Sequence, residues 1–160
     1  MSLTQTDYEI KRAGFREILE ASELVIEFHN TLTSEVARRI YKGSTVGFIS
    51  SWKEWIEQSD HCFFVAYDGN KVIGAIGGLI SEQAIKQEQY GYETFWFVKK
   101  AYRGSGIGMK LVQSFEHWLK SNGVKIMVLS SISEGTPKSR ERFCEKMHFT
   151  VFETLMLKEI

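Results

Sequence analysis

Hydrophobic positions along this chain follow two periods, one helical and one alternating, and the changes between them mark out the elements. Tyr8 to Arg12 reads as a short opening strand. Phe15, Ile18, Leu19, Val25 and Leu32 then recur with helical spacing, which predicts a helix from Phe15 to Leu32. Ser34 suits the N-cap of a second helix reaching about Tyr41, with Gly43 closing it. Thr45 to Gln58 carries Phe48, Trp52, Trp55 and Ile56, again nearer a helical than an alternating period. His61 to Tyr67 and Lys71 to Ser81 are β-rich runs joined by Asp68-Gly69-Asn70, the turn chemistry of a hairpin.

Gly91 to Val98 (GYETFWFV) is dense in aromatic and β-branched residues and reads as a strand. Ile107, Leu111, Phe115, Trp118 and Leu119 form one face of the helix that follows, ended by Asn122-Gly123. Lys125 to Ile132 is a further strand. Thr136 then suits an N-cap and Pro137, the only proline, a first helical residue. This last helix should run to about Met147, with Phe149 to Lys158 as a closing strand. The order is therefore β-α-α-β-β-β-α-β-α-β. Regular alternation of strand and helix begins only late, so a mixed, mostly antiparallel sheet flanked by helices fits better than a doubly wound parallel one.

Length and composition narrow the class. At 160 residues the chain suits one domain, residues 1–160, and 43% hydrophobic residues supply a core. Twenty Lys and Arg balance twenty Asp and Glu, which gives no electrostatic case for nucleic acid or an anionic membrane. No apolar run approaches the roughly 20 residues of a membrane span, and the first residues lack a signal-peptide pattern. Cys62 and Cys144 lie far apart with no CxxC and no His-rich cluster, so two reduced thiols, a cytoplasmic setting and no metal are expected.

Thirteen glycines against one proline point to unusual backbone freedom, and three fall in Arg103-Gly104-Ser105-Gly106-Ile107-Gly108, between a strand and a helix. Glycine lets the backbone approach a ligand closely, and the free N–H groups at a helix start favour an anion. Lys99, Lys100, Arg103 and Lys110 add positive charge nearby. A P-loop would need Gly where Met109 stands. A dinucleotide fingerprint would need GxGxxG, whereas the glycines here fall at GxGxG, two-thirds of the way along the chain.

The pattern Arg-x-x-Gly-x-Gly after an aromatic strand resembles the acetyl-CoA signature of the GNAT acyltransferase superfamily. Phe143-Cys144-Glu145-Lys146-Met147-His148-Phe149 is similar to that family's closing motif, Leu-Tyr-Glu-Lys-Leu-Gly-Phe. The resemblance implies a GNAT-like fold in which the strand before the turn splays from its neighbour and pantetheine occupies the gap. The backbone of Trp96, Phe97 and Val98 would then hydrogen-bond pantetheine, and that strand's amides would polarise the thioester carbonyl. Amides from Gly104 through Ser105, Gly106, Ile107 and Gly108 to Met109, with Arg103 at the head of the motif, would hold the pyrophosphate.

The implied activity is transfer of an acetyl group from acetyl-CoA to a primary amine by direct attack in a ternary complex. The other reading is a CoA-binding module with little or no catalysis. Glu93 is the candidate base. A strand's period of two puts it on one face with Phe95 and Phe97, in an apolar setting that would raise its pKa. Glu82 and Glu88 are rivals in the preceding loop. Cys144 stands where the family has a Tyr proposed to protonate the departing thiolate, so it is either a weaker acid or a small buried hydrophobe. Pro137 for Asn and His148 for Gly are further departures. Tyr41, Trp52, Trp55 and the Glu82 to Tyr92 stretch are candidates for lining the acceptor pocket, though aromatics at helical spacing more often form core. The acceptor itself, a small-molecule or peptide amine, carries no signature. Only one strand follows the last helix where the family commonly has two, and pairing into a homodimer would cover the free edge.

Overall fold

Strand formation is concentrated in the middle of the chain, where β-branched and aromatic residues run together. A computed structural model describes residues 8–41, 43–82, 88–130, 137–152 and 158. Its sheet contains β1 (Glu9–Arg12), β2 (His61–Asp68), β3 (Lys71–Ser81), β4 (Tyr90–Val98) and β5 (Ile126–Val128), in the spatial order β1-β2-β3-β4-β5. The first three pairings are antiparallel and β4–β5 is parallel, so the sheet is mixed and mostly antiparallel, as the sequence predicts. The β2–β3 hairpin turns through Gly69 and Asn70, with Asp68 opposite Lys71.

Among the described residues four helices separate β1 from β2, where the expected order has two and the apolar spacing marks three helical stretches: α1 (Phe15–Ala21), α2 (Glu23–Thr31), α3 (Glu35–Ile40) and α4 (Thr45–Trp55). The single helix expected from Phe15 to Leu32 breaks at Ser22. Its hydroxyl donates to the Leu19 carbonyl at 2.7 Å and its N–H bonds the same oxygen at 3.3 Å, replacing the regular helical ladder. Ser34 caps α3 by accepting from the Ala37 N–H at 3.2 Å, and Ser44 caps α4 through the Gly47 N–H at 3.1 Å. The late helices are α5 (Ile107–Ser121) and α6 (Pro137–Met147), which Pro137 opens.

The sheet is covered on both faces, so β2 and β3 are buried nearly throughout. On one face Trp52, Phe63, Val65, Ala75 and Phe97 pack with Ile18, Ala21 and Leu24 of the early helices. On the other, Cys62, Ala66, Ile73 and Ile76 receive Ile107, Leu111, Val112, Phe115, Trp118 and Leu119 of α5. Those six positions of α5 form the apolar stripe that the sequence spacing requires.

Two features of β4 shape everything around it. Its ladder with β5 covers only Tyr90–Tyr92 against Ile126–Val128, so beyond Tyr92 β4 pairs with β3 alone among the described residues. A bulge interrupts its register with β3: Gly77 faces Phe95 and Gly78 faces Glu93, leaving Thr94 as the extra residue. Gly78 is a position of close approach, since a Cβ there would lie 2.6 Å from both the Phe115 ring and the Tyr92 carbonyl.

The strand expected from Lys125 to Ile132 is shorter, ending at Val128, and residues 131 and 132 lie outside the described residues. Phe149 to Phe152 of the expected closing strand are not in a strand, and residues 153–157, like the expected cap Thr136, lie outside the described residues.

His148 ends α6 with φ 59°, the left-handed region that favours glycine. The Phe149 N–H reaches back to the Cys144 carbonyl at 2.8 Å, the closing bond of a helix end that turns on a left-handed residue. His148→Gly should relieve this strain by about 1 kcal/mol net of glycine's entropy cost. Thermal unfolding should then show a gain of about 2–4 °C, and His148→Ala no gain.

Candidate active site

Three local conditions coincide at the glycine turn and make it a cradle suited to an anion. Gly104 and Gly106 hold φ of 83° and 87°, and nothing lies within 4 Å of a Cβ built on either. Gly106 is the N-cap of α5, and the first helical bond runs from the Lys110 N–H to the Gly106 carbonyl at 3.1 Å. The Gly108 and Met109 amides precede that bond and have no acceptor within the helix. The 15-residue α5 adds its dipole at the same point.

Behind the cradle lies a cleft of about 320 Å³ lined by Trp96, Phe97, Val98, Tyr102, Arg103, Gly104 and Gly108. Six of these seven are residues that the motif nominates; Tyr102 is the addition. A larger groove of about 750 Å³ runs between α5 and the β1–β2 edge, past Ile10, Phe64 and Trp118, and none of the predicted site residues lines it.

The loop between β4 and α5 is held by its own polar groups. Arg103 Nε donates to the Val98 carbonyl at 3.0 Å, and its guanidinium lies over the Phe97 ring at 5.4 Å. The Ser105 hydroxyl donates to the Tyr102 carbonyl at 2.7 Å, and Tyr102 in turn donates its phenol proton to Asp68 Oδ2 at 3.0 Å. That last bond, followed by burial, raises the Tyr102 pKa.

The cationic ring expected around the turn is thinner than the sequence suggests. Lys99 turns back to α2, where Nζ meets Glu23 at 2.5 Å and Glu27 at 3.4 Å. Lys110 lines the larger groove on the other flank of α5. What remains at the turn to suit an anion is the amides and the helix dipole, with Arg103 in the cleft wall.

Glu93 is buried, with 5% of its surface exposed, and its carboxylate accepts from the Ser130 N–H at 3.1 Å across the place where β4 and β5 part. Burial raises its pKa to about 7, the Ser130 bond pulling weakly the other way. The facing expected from strand alternation is wrong. Because Thr94 is an extra residue, Glu93 shares its face with Trp96 and Val98, whereas Phe95 and Phe97 point to the opposite one. The desolvating environment is real, but it belongs to the α5 side of the sheet.

Trp96 lines the cleft and packs against Phe143 of α6 at 5.2 Å, and its indole N–H has no partner among the described residues. Phe97 is core, in edge-to-face contact with Phe28 at 6.0 Å. Cys144 follows Phe143 on α6 and is half-buried, whereas Cys62 is fully buried. Of the aromatic acceptor candidates, Trp52 is core at 3% exposure, and Trp55 packs on Trp52 and stacks on His61 at 5.6 Å. Tyr41 is exposed and meets the edge of Phe28 at 5.6 Å. Sequence reasoning missed Tyr102 as a cleft residue and Asp68 as its partner. The Gly77-Gly78 pair facing an aromatic strand was the one available sign of the bulge.

Solved structures share this architecture. A glucosamine-6-phosphate N-acetyltransferase from Arabidopsis thaliana superposes with TM-score 0.71 at 18% identity, covering 96% of this chain and 98% of its own. An aminoglycoside acetyltransferase from an uncultured soil metagenomic sample gives 0.73 at 14%, covering 96% and 97%. AAC(6′)-Iy, solved with the bisubstrate analogue CoA-S-monomethyl-acetylneamine, gives 0.71 at 11%, covering 96% and 98%. At such identities the likeness is one of fold. Among curated proteins none matches the sequence. The family model for the acetyltransferase (GNAT) family matches residues 23–149, from α2 through the cradle to the end of α6, and the chain belongs to that family.

Proposed function

We propose that this protein transfers an acetyl group from acetyl-CoA to a primary amine, with Glu93 as the general base. The observation that carries the reading is a buried carboxyl with a pKa near 7 at the parting of β4 and β5, on the face of β4 that borders the cleft. The residues fit an acyl-CoA. Along β4 from Glu93, main-chain groups that point away from β3 have no β5 strand beside them, which suits the amides of pantetheine. Val98 is the qualified case, because Arg103 already takes its carbonyl. The cradle offers the Gly108 and Met109 amides to a diphosphate, whereas the Ser105 and Ile107 amides expected to join them are bonded within the turn, and Trp96 leaves one buried donor unpaired beside it.

When bound, acetyl-CoA supplies the activated acyl group as a thioester. This chain's residues then have three tasks. The cradle and β4 hold the donor in line with the amine, which supplies much of the rate through proximity. Glu93 Oε accepts the proton that the amine sheds as its N–C bond forms and the C–S bond breaks. Cys144, on the helix that flanks Trp96, is the candidate to return a proton to the departing sulfur. The acceptor class proposed is a small-molecule or peptide amine. The small-molecule option draws on neighbours named as glucosamine-6-phosphate and aminoglycoside acetyltransferases.

The base role has a defined pH signature. Activity should rise as pH passes through about 7 and Glu93 loses its proton. Glu93→Gln should lower kcat/KM by about a hundredfold and flatten that limb, with CoA affinity unchanged. Free-thiol release measured across an amine panel checks this. CoA binding without thiol release from any amine would favour the binding-module reading instead. Glu93 also costs stability as pH rises from the usual glutamate range through 7, because the folded state then holds the proton more tightly than the unfolded chain. Glu93→Gln should accordingly unfold no earlier than wild type at pH 8, which separates lost chemistry from lost fold.

Placing Cys144 beside the departing sulfur has its own test. Incubation with CoA and a thiol oxidant should give a CoA mixed disulfide by intact mass on the wild type and none on Cys144→Ser. Cys62, fully buried and with its thiol pKa pushed up by desolvation, is no competitor. An equal adduct on Cys144→Ser would remove Cys144 from the site.

A further inference from the structure

Asp68 lies at the tip of the β2–β3 hairpin, 35 residues before the glycine motif and outside every pattern the sequence associates with it. The structure nevertheless connects the two through an unbroken series of hydrogen bonds. The Tyr102 hydroxyl donates to Asp68 Oδ2 at 3.0 Å. The Tyr102 carbonyl accepts from the Ser105 hydroxyl at 2.7 Å and from the Ser105 N–H at 3.4 Å. The Ser105 hydroxyl accepts from the Ile107 N–H, the first amide of α5, at 3.4 Å. The Tyr102 ring is also gripped from two sides, by the edge of Tyr8 at 5.9 Å and by Lys71 Nζ over its face at 5.7 Å.

Rigidity at this point has a specific use. Gly104 and Gly106, with their wide backbone freedom, flank Ser105, so the turn has little conformational preference of its own. Free amides attract an anion strongly only when they are already aimed at one place, and disorder in the unbound turn would be charged against affinity. The segment Lys100–Tyr102 is one short turn and cannot anchor the loop alone. Its link to the hairpin, a two-stranded element buried within the sheet, provides the anchor that the glycines lack.

We propose that Asp68 is a positioning residue for the cofactor loop, which it tethers through the Tyr102 hydroxyl so that the cradle amides are preorganised for the diphosphate of acyl-CoA. This rests on the acyl-CoA reading of the cleft. Asp68 touches no substrate, and its influence passes through Tyr102, Ser105 and the start of α5. The tether acts on the phosphate end of the ligand and not on the pantetheine arm, which β4 holds.

Isothermal titration of CoA and of pantetheine, which lacks the phosphates, tests this on wild type, Asp68→Ala, which removes the acceptor, Tyr102→Phe, which removes the donor, and the double variant. Each single variant should weaken CoA binding about threefold to tenfold. The double variant should bind no more weakly than the weaker single one, because both remove the same link. Pantetheine affinity should stay within twofold throughout, a split that general loss of structure would not produce. Thermal unfolding run alongside should stay near wild type for Tyr102→Phe, which keeps the ring and its contacts. Unchanged CoA affinity in either single variant, additive losses in the double, or an equal loss for pantetheine would overturn the tether while leaving the acetyl-transfer reading intact. A wild-type chain that binds no CoA would overturn that reading and the tether with it.

Discussion

Among the described residues β4 carries two strand partners at its start and one at its end, and this change of partner number is the constraint from which the candidate site follows. From Tyr90 to Tyr92 the strand is pinned between β3 and β5. The next step introduces Thr94 as an extra residue against the Gly77-Gly78 pair. A bulge increases local twist and rotates the side chains that follow it, so it is suited to the place where a strand leaves one neighbour. Glycine at 78 lets the Phe115 ring of α5 and the Tyr92 carbonyl close onto β3, which packs the sheet tightly where it changes direction. Glu93 sits at that transition, buried and bonded to Ser130 beyond the end of β5. Its raised pKa is a consequence of this placement.

The charges of the chain are spent differently from what their sequence positions suggest. Lysines near the glycine motif give the look of a cationic pocket, but Lys99 joins β4 to α2 through Glu23 and Glu27, and Lys110 faces another groove. Such partly exposed ion pairs contribute at most about 1 kcal/mol, so their value here is in orienting α2 against the end of β4. An anion at the turn would meet Arg103 and, beside it, amides and a helix dipole, which are fixed in direction and do not depend on long flexible side chains. Zero net charge is compatible with this, because the cradle concentrates partial charges that no count of ionisable residues registers.

Most of the architecture was legible because it is encoded locally. The helical stripe of α5, the Ser34 cap, the Gly69-Asn70 turn and the glycine cradle each depend on residues within a turn or two of one another. The errors have equally physical origins. A helix break at Ser22 is set by whether one hydroxyl turns to its own backbone, which apolar spacing does not register. The facing of Glu93 depends on strict alternation, and one unpaired residue reverses it. The Asp68–Tyr102 bond joins positions 34 apart that sheet topology alone brings together. Six of the residues nominated from the sequence line one cleft, whereas the direction in which Glu93 points was not legible.

The departures of this chain from the GNAT pattern fall on α6, and the structure explains why that is the permissive half of the site. What the cradle and β4 would offer a ligand is chiefly main chain, with glycine needed at the left-handed positions 104 and 106. The flank provided by α6 works through side chains: Phe143 against Trp96, Cys144 beside it, and His148 in a backbone conformation glycine would adopt more easily. Each can change without dismantling the cradle, because α5 and β4 are fixed by the sheet and not by α6. The cost of such change is local strain at His148 and, in the proposed reaction, a weaker proton donor at position 144. A thiolate is a competent leaving group even with little help, so a weak donor on α6 is a smaller loss to acyl transfer than a misdirected Glu93 would be. In the proposed reaction the parting of β4 and β5, which buries Glu93, is thus the element that matters most, and α6 the one open to change.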